Sequence, residues 1–322
     1  MIMRYDVVAL GELLIDLTEA GLSPNGMRLF EQNPGGAPAN MLTALSHSGY
    51  KTAFIGKVGD DMHGRFLIET LSKEGIDTGA VITDPKCFTT LAFVGLDENG
   101  ERSFSFARKP GADTMLRIDE LDHSLLSDCK IFHFGSLSMT DEPSRSATLE
   151  AVKIAKDGGA VISYDPNYRP SLWPDRETAI EQMGSVISLL DMLKVSDEES
   201  FLLTGINDPF KAADRLLSMG PELVAVTLGS DGVLVARSDR KEIVEAFDVD
   251  CIDTTGAGDC FWGGFLSRFL TNEESVGKMK WEALKQCALT GNAFAALCVK
   301  QRGGIPSIPS IEEVETFISC HS

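Results

Sequence analysis

The sequence has few basic residues and no paired cysteines. Among its 322 residues, 29 are Lys or Arg and 48 are Asp or Glu, so the formal net charge is −19. A chain this acidic repels phosphate backbones and anionic lipids, and neither nucleic acid nor a membrane is expected as a partner. The seven cysteines are widely spread, without a C-x-x-C pair. This argues against a disulfide framework or a zinc site and favours reduced thiols.

The chain also lacks long apolar runs. Charges at Arg4 and Asp6 interrupt the N-terminal apolar residues before a signal-peptide core forms. The longest uncharged apolar stretch near the C-terminus, residues 286–299, is too short to span a membrane. The 30 glycines and 13 prolines are scattered, which excludes collagen and low-complexity disorder. We therefore expect a cytoplasmic globular protein with a large core.

Short apolar runs alternate with amphipathic segments over most of the chain. Buried strands are predicted at residues 6–10, 52–58, 130–134, 160–164, 192–195 and 223–228. Amphipathic helices are predicted at residues 39–48, 64–73, 143–156 and 211–219. This β-α-β alternation predicts an α/β fold with a mostly parallel sheet covered by helices, and with ligand sites at the carboxyl ends of the strands.

Two segments depart from this alternation. Residues 89–96 and 102–107 alternate apolar and polar side chains around Asn99-Gly100, which is typical of a hairpin turn. Residues 18–33 contain several turn-forming residues and are predicted to be irregular. We expect the inserted segments, about 17–33 and 88–110, to form a small β lid on a single domain that spans residues 1–322.

The segment Asp253-Thr254-Thr255-Gly256-Ala257-Gly258-Asp259 predicts the start of a helix that can bind an anion. Aromatic and leucine side chains recur every four residues after it, so a helix begins at the glycines. Its first backbone amides have no partner within the helix, and glycines let an anion approach them closely. The carboxylate of Asp259 can accept a proton from a hydroxyl group. An isolated G-x-G-D pattern is more often a simple helix cap, and the chain has no P-loop and no G-x-G-x-x-G motif after its first strand.

Two further glycine-containing blocks precede this segment. They are residues 35–40 (Gly-Gly-Ala-Pro-Ala-Asn) and 56–64. With these three blocks in order, the chain resembles the ribokinase-like (PfkB) carbohydrate kinases over its whole length. Residues 106–113, 165–173 and 194–199 are most similar to the bacterial fructokinases. The resemblance implies a ribokinase-like three-layer sandwich with a small β lid, and an ATP-dependent kinase that phosphorylates the primary hydroxyl of a ketohexose, most similar to one converting fructose to fructose 6-phosphate.

The resemblance also implies a role for individual residues. Asp259 is the implied catalytic base, and the implied phosphate-stabilising groups are Gly256, Ala257, Gly258 and Arg169. The implied sugar-binding residues are Asp16, Gly35, Gly36, Asn40 and Arg108. The implied ATP-binding residues are Asn167, Thr227, Gly229, Gly232 and Asn292, where the last lies on a small-residue helix face suited to an adenine ring. Read without the family, the loop at 227–232 is a β-turn, and core packing explains that helix face equally well.

The implied cofactors are ATP, Mg²⁺ and K⁺. Glu199 corresponds to the acidic residue that acts on Mg²⁺ through water, although Ser196 stands where ribokinases carry Asn. An exposed helix start is nearly as good an explanation of this acidic run. Asp253, the carbonyl of Thr255 and the loop at Gly303 resemble a monovalent-cation site.

Two alternatives stay open at this stage. A 2-keto-3-deoxygluconate kinase needs a cation for its sugar acid, and Arg108 with Lys109 supplies one. A catalytically silent sugar-binding regulator is opposed by the intact segment 256–259. The expected partners are a sugar and ATP, and relatives that dimerise through their lids suggest a homodimer. The sequence does not fix the sugar, its anomer or the response to K⁺.

Overall fold

The computed structural model describes residues 5–96, 102–272 and 274–321. Strands and helices alternate along most of the chain. The strands are β1 (Tyr5–Leu10), β2 (Leu14–Leu22), β3 (Arg28–Gly35), β4 (Thr52–Gly59), β5 (Asp77–Asp84), β6 (Leu91–Leu96), β7 (Arg102–Ala107), β8 (Cys129–Gly135), β9 (Val161–Asp165), β10 (Met192–Ser196), β11 (Leu223–Thr227), β12 (Val233–Arg237) and β13 (Arg240–Val244). The helices are α1 (Ala37–His47), α2 (Met62–Lys73), α3 (His123–Leu126), α4 (Ser144–Asp157), α5 (Arg176–Ser185), α6 (Asp197–Thr204), α7 (Pro209–Leu217), α8 (Ala257–Phe269), α9 (Trp281–Cys298) and α10 (Ile311–Cys320).

A nine-stranded sheet forms the body, in the order β13-β12-β11-β10-β9-β8-β1-β4-β5. Its strands are parallel except at β11–β12 and β12–β13, which pair antiparallel. Successive residues of β1 point to opposite faces: Val8 belongs to the core on the side of α4, α5 and α7, whereas Val7 belongs to the core on the side of α1, α2, α8 and α9. The predicted three-layer α/β architecture is therefore confirmed.

All the predicted strands and helices of the body are present, but three strands escaped prediction. β12 and β13 form an antiparallel edge, and β5 forms the opposite edge of the sheet. β5 and β13 are half-exposed and carry charged or small residues, so neither shows the continuous apolar run of a central parallel strand. No helix within residues 5–96, 102–272 and 274–321 is long and apolar enough to cross a lipid bilayer.

The lid is a separate four-stranded sheet in the order β3-β2-β6-β7. The prediction of an irregular segment at residues 18–33 was wrong, because β2 and β3 pair antiparallel there, with Asp16 opposite Asn33. The glycines and proline that suggested irregularity lie near the turn between the two strands. β6 and β7 also pair antiparallel, whereas the predicted Asn99-Gly100 turn lies outside the described residues.

The second glycine block has a structural explanation in the turn between β4 and α2. Asp61 caps α2, since its Oδ1 accepts hydrogen bonds from the amides of His63 and Gly64, both at 2.9 Å. Its Oδ2 accepts the amide of Thr89 at 2.8 Å, which lies just before the first lid strand of the second hairpin. The block therefore ties the body to the base of the lid.

Candidate active site

The carboxyl ends of the parallel strands face a cleft under the lid. A cavity of about 390 Å³ lies between the lid and the loops that precede α8 and follow α9. Its lining includes Asp16, Thr18 and Asn33 from the lid, and Asp253 and Gly303 from the loops. These side chains present oxygen and amide groups, so the cavity suits a ligand with several hydroxyl groups.

The amino end of α8 lies where the glycine segment predicted it. Gly256 takes a left-handed conformation with φ of 78° as the residue before the helix, which glycine adopts at little cost. The amide of Ala257 turns back to the carbonyl of Thr254 at 3.2 Å, so it is already engaged. The amides of Gly258 and Asp259 belong to the first turn and have no partner within the helix. They are therefore the donors best placed for an anion.

Asp259 is buried beside these amides and is held by an amide side chain from α1. Its Oδ2 accepts a hydrogen bond of 2.8 Å from Asn40 Nδ2. Burial, with a smaller contribution from the charge of Asp165, raises the pKa of Asp259 to about 6, while Lys194, Asn40 and Arg169 oppose the rise. The carboxylate is therefore ionised at neutral pH but more basic than an exposed aspartate, which suits a general base.

A buried lysine that the sequence analysis left without a role lies directly beneath the helix start. Lys194 Nζ contacts Asp165 Oδ2 at 2.7 Å, and a Cβ atom at Gly258 would stand only 2.8 Å from Nζ. Burial lowers the pKa of Lys194, but the carboxylates of Asp165, Glu199 and Asp259 outweigh that effect and raise it. The available signal was a charged residue inside a strand predicted to be buried, which requires a partner.

Glu199 joins α6 to the loop that follows β9. Its Oε2 accepts the amide of Ser196 at 2.8 Å, and its Oε1 accepts the amide of Tyr168 at 2.7 Å. The buried carboxylate thus fixes the loop that carries Asn167, whose φ is 47°, and Arg169. No group of three or more His, Cys, Asp or Glu side chains in the described part of the chain is arranged to hold a metal. The water-mediated role of Glu199 stays a prediction.

The two predicted arginines have different surroundings. Arg169 is half-buried, and its charge opposes the rise in pKa of both Asp16 and Asp259. Arg108 is buried and held by the body: its Nε donates to Asp113 Oδ2 at 2.7 Å, and its two terminal nitrogens donate to Thr140 Oγ1 at 2.9 Å and the carbonyl of Leu137 at 2.8 Å. Arg108 is thus anchored at the base of the lid.

The predicted sugar-binding residues from the lid meet at one corner of the cleft. Burial, with a smaller effect of Asp253, raises the pKa of Asp16 to about 6, while Arg169 opposes the rise. A Cβ atom at Gly35 would stand 2.5 Å from Asp16 Oδ2, and one at Gly36 would stand 2.3 Å from the carbonyl oxygen of Glu12. Both glycines are therefore required by the close approach of protein atoms.

Most of the residues predicted to bind the nucleotide lie at the end of β11, in the turn after it and on α9. Thr227 ends β11, and the turn after it places Gly229 at φ 60° and Gly232 at φ 100°. Asn292 lies on α9, where its Nδ2 donates to the carbonyls of Val244 and Glu245 at 3.0 and 2.9 Å. Its amide hydrogens are thus used to hold the loop after β13.

The small-residue face of α9 packs against α8. A Cβ atom at Gly291 would stand 2.7 Å from the carbonyl oxygen of Phe261, and Ala288 is fully buried in the apolar core. Of the two explanations left open by the sequence, core packing accounts for these positions. The predicted adenine-binding surface at Gly291 and Ala288 is contradicted, because protein atoms already occupy it.

Hydrogen bonds hold the loops that are predicted to bind a monovalent cation. Asp253 Oδ1 accepts the amide of Thr255 at 2.8 Å, and its Oδ2 accepts the amide of Gly303 at 3.3 Å. Ser307 donates to the carbonyl of Gly303 at 2.5 Å, and Cys298 Sγ lies 3.8 Å from the carbonyl oxygen of Thr255. Sequence reasoning missed these last two side chains, which carry no local motif.

The sequence and the fold match those of known carbohydrate kinases. Residues 4–311 match the model of the pfkB family carbohydrate kinase. Fructokinase-1 of Zea mays is 42% identical over 318 residues, which cover 98% of this chain and 98% of that protein. The resemblance found in the sequence is therefore confirmed at the level of whole chains.

Solved structures give the same result. The fructokinase with bound ATP from Xylella fastidiosa has a TM-score of 0.90 and 33% identity, covering 98% of both chains. A double mutant of the fructokinase from Vibrio cholerae O395, in its fructose-, ADP- and potassium-bound form, has a TM-score of 0.88 and 32% identity, covering 98% of this chain and 99% of that chain. The chain belongs to the pfkB family of carbohydrate kinases.

Proposed function

We propose that this enzyme is a fructokinase that uses ATP to convert fructose to fructose 6-phosphate. The observation that carries the proposal is the placement of Asp259, a buried carboxylate with a pKa of about 6, beside the unpaired amides that begin α8. The full-length similarity to a fructokinase of maize and to two bacterial fructokinases supports fructose as the acceptor.

The proposed reaction moves one proton and one phosphoryl group. The primary hydroxyl of fructose gives its proton to a carboxylate oxygen of Asp259, and the hydroxyl oxygen forms a bond to the γ-phosphorus of ATP. The bond from that phosphorus to the leaving oxygen breaks, and ADP departs. The amides of Gly258 and Asp259 and the guanidinium of Arg169 stabilise the charge on the transferred group.

Two carboxylates near the nucleotide end suit a divalent cation. Asp165 ends β9 and Glu199 lies in the first turn of α6, which follows β10. Both are buried, and their oxygen atoms are the ligand type that Mg²⁺ prefers, directly or through water. When bound with ATP, Mg²⁺ neutralises charge on the phosphates. In the same proposal, Asp253 and the carbonyl of Thr255 hold K⁺, and the turn from Thr227 to Gly232 contacts ATP.

The experiment for this function is an ADP-release assay with Mg²⁺, ATP and a panel of hexoses, pentoses and sugar acids. Fructose is expected to give the highest kcat/KM, and the product should carry its phosphate on the 6-position. Competition with 2-keto-3-deoxygluconate tests the rival acceptor in the same mixture. Absence of sugar-dependent ADP release with every acceptor, despite sugar binding by calorimetry, would instead support the silent regulator.

We also propose that the lid forms a homodimer contact. The lid face opposite the cavity exposes Phe30 and Phe93, which contact each other edge to face at 6.1 Å between ring centroids. Leu22 and Met27 extend this exposed apolar surface towards the tip. Apolar surface of this kind favours association with a like surface.

Replacing Phe30 and Phe93 by Glu is expected to convert a dimer to a monomer, because two buried charges would face the partner lid. Analytical ultracentrifugation measures the change. Leu149→Glu on α4 is the matched control, since Leu149 and Phe93 are both 38% exposed. A wild-type chain that is already monomeric at high concentration, or equal effects of the lid and control changes, would contradict the lid contact.

A further inference from the structure

A buried carboxyl group with an unpaired oxygen lies where the lid joins the body. Glu12 is 2% exposed and stands between β1 and β2. Its Oε1 accepts the amide of Ala37, the first residue of α1, at 2.8 Å. Its Oε2 is buried and has no hydrogen-bond partner within the described part of the chain. An unpaired buried oxygen is costly, so packing alone is a poor explanation for a carboxyl group at this position.

All four lid strands meet the body around this group. β2 begins two residues after Glu12, and β3 ends two residues before Ala37. β6 begins directly after Thr90, whose hydroxyl donates to Asp113 Oδ1, and β7 ends directly before Arg108, which donates to Asp113 Oδ2. Glu12 is therefore bonded directly to the junction at Ala37, and its charge acts on Arg108 and Asp113 at the junctions of β6 and β7.

Two charged side chains face Glu12: Arg108, directly after β7, and Asp113, five residues further along the chain. From α1, the group that faces Glu12 is the amide of Ala37. Arg108 is already bonded to Asp113, so Glu12 is the second carboxyl group beside one guanidinium. Burial raises the pKa of Glu12 to about 7, although backbone hydrogen bonds and Arg108 oppose the rise. The group therefore gains or loses its proton near neutral pH.

Resting on the proposed function, we propose that Glu12 is a positioning residue for the acceptor sugar. Its carboxylate fixes the first turn of α1, which carries Asn40, relative to the four junctions of the lid. In the ionised form the bond to Ala37 is charge-assisted and therefore stronger, and the attraction to Arg108 is at its greatest. The protonated form holds α1 and the lid base less firmly.

The sign of the pH dependence follows from these two forms. Above the pKa of Glu12 the ionised form dominates and sugar is held best. As the pH falls through about 7, the protonated form accumulates and KM for fructose rises. ATP contacts the other end of the cleft in the proposed function, so KM for ATP should change little. A purely structural role of Glu12 predicts no such difference between the two substrates.

Glu12→Gln tests this proposal because the amide oxygen still accepts from Ala37 but carries no charge. We expect KM for fructose to rise about tenfold at a pH above 7, which is the loss anticipated for one charge-assisted hydrogen bond, with KM for ATP nearly unchanged. The variant should also lose the pH dependence of kcat/KM for fructose near 7 and keep the one near 6. Glu315→Gln, an exposed carboxylate on α10, is the control and should leave both KM values unchanged.

Glu12→Asp keeps the charge on a shorter side chain, so KM for fructose should rise while the pH dependence near 7 persists. Equal changes in both KM values, an unaltered pH profile in Glu12→Gln, or failure of both variants to fold would overturn the proposal. Wild-type enzyme is assayed in parallel: absence of turnover in the wild type refutes the proposed function, whereas active wild type with an unaffected Glu12→Gln variant refutes only the role of Glu12.

Discussion

Asp259→Asn is expected to lower kcat by about a thousandfold, within the range for loss of a general base. The asparagine has nearly the same shape, and its side-chain oxygen still accepts the hydrogen bond from Asn40. It cannot take a proton from the sugar hydroxyl at neutral pH. KM for ATP should stay close to the wild-type value, because the amides that begin α8 are unchanged.

The matched control for this change is Asp197→Asn at the start of α6, an acidic residue on the exposed side of that helix. It should keep kcat within about twofold of wild type, as surface substitutions usually do. Steady-state and single-turnover ADP release distinguish the two variants. An Asp259→Asn enzyme with a near wild-type single-turnover rate would remove the carboxylate from the chemical step.

The wild-type enzyme should lose activity as the pH falls through about 6, because the base must be ionised and the pKa of Asp259 is raised to that value. Asp16, a predicted sugar-binding residue, has a pKa raised to the same value. The two groups are separated by kinetics: Asp16→Asn should retain the acid loss of kcat that arises from Asp259. A kcat that stays constant down to pH 5 would contradict the assignment.

The start of α8 illustrates what local sequence determines. A left-handed residue before a helix favours glycine, and a carboxylate three residues later must lie in the first turn. The local sequence alone therefore places Gly256 before α8 and Asp259 in its first turn. The α/β architecture was equally accessible, because each central strand is a continuous apolar run between amphipathic helices.

Side-chain partners that lie on different strands could not be predicted from local sequence. Lys194 on β10 pairs with Asp165 on β9 only because these strands are neighbours, and strand order is not written in either segment. The long side chain of Arg108 had several reachable acceptors, and folding brought it to Asp113. Motifs therefore predicted the candidate site residues but left their hydrogen-bond partners undetermined.

Lys194→Met is expected to destabilise the protein by about 3–5 kcal/mol, the usual effect of removing one partner of a buried ion pair. Methionine fills a similar volume but leaves Asp165 charged and without its ammonium partner, next to the carboxylates of Glu199 and Asp259. Denaturant unfolding measures the loss. The loss of kcat in acid should also occur at a higher pH than in the wild type. Lys194 of the wild type opposes the rise in the pKa of Asp259, and the variant lacks that effect.

The double variant Lys194→Met, Asp165→Asn separates charge from shape. Removing both charges eliminates the unpaired carboxylate, so the double variant should be more stable than Lys194→Met alone, and the two free-energy changes should not add. If the single change costs less than about 1 kcal/mol, or if the two changes are additive, the ammonium is not an essential partner of Asp165. The same double variant tests the pH dependence, because loss of both charges leaves the net charge around Asp259 the same; kcat at its plateau should still fall, since Asp165 is a proposed ligand of Mg²⁺. Its acid limb should therefore return towards the wild-type position even if Asn167, whose amide Asp165 accepts at 3.2 Å, becomes less firmly held.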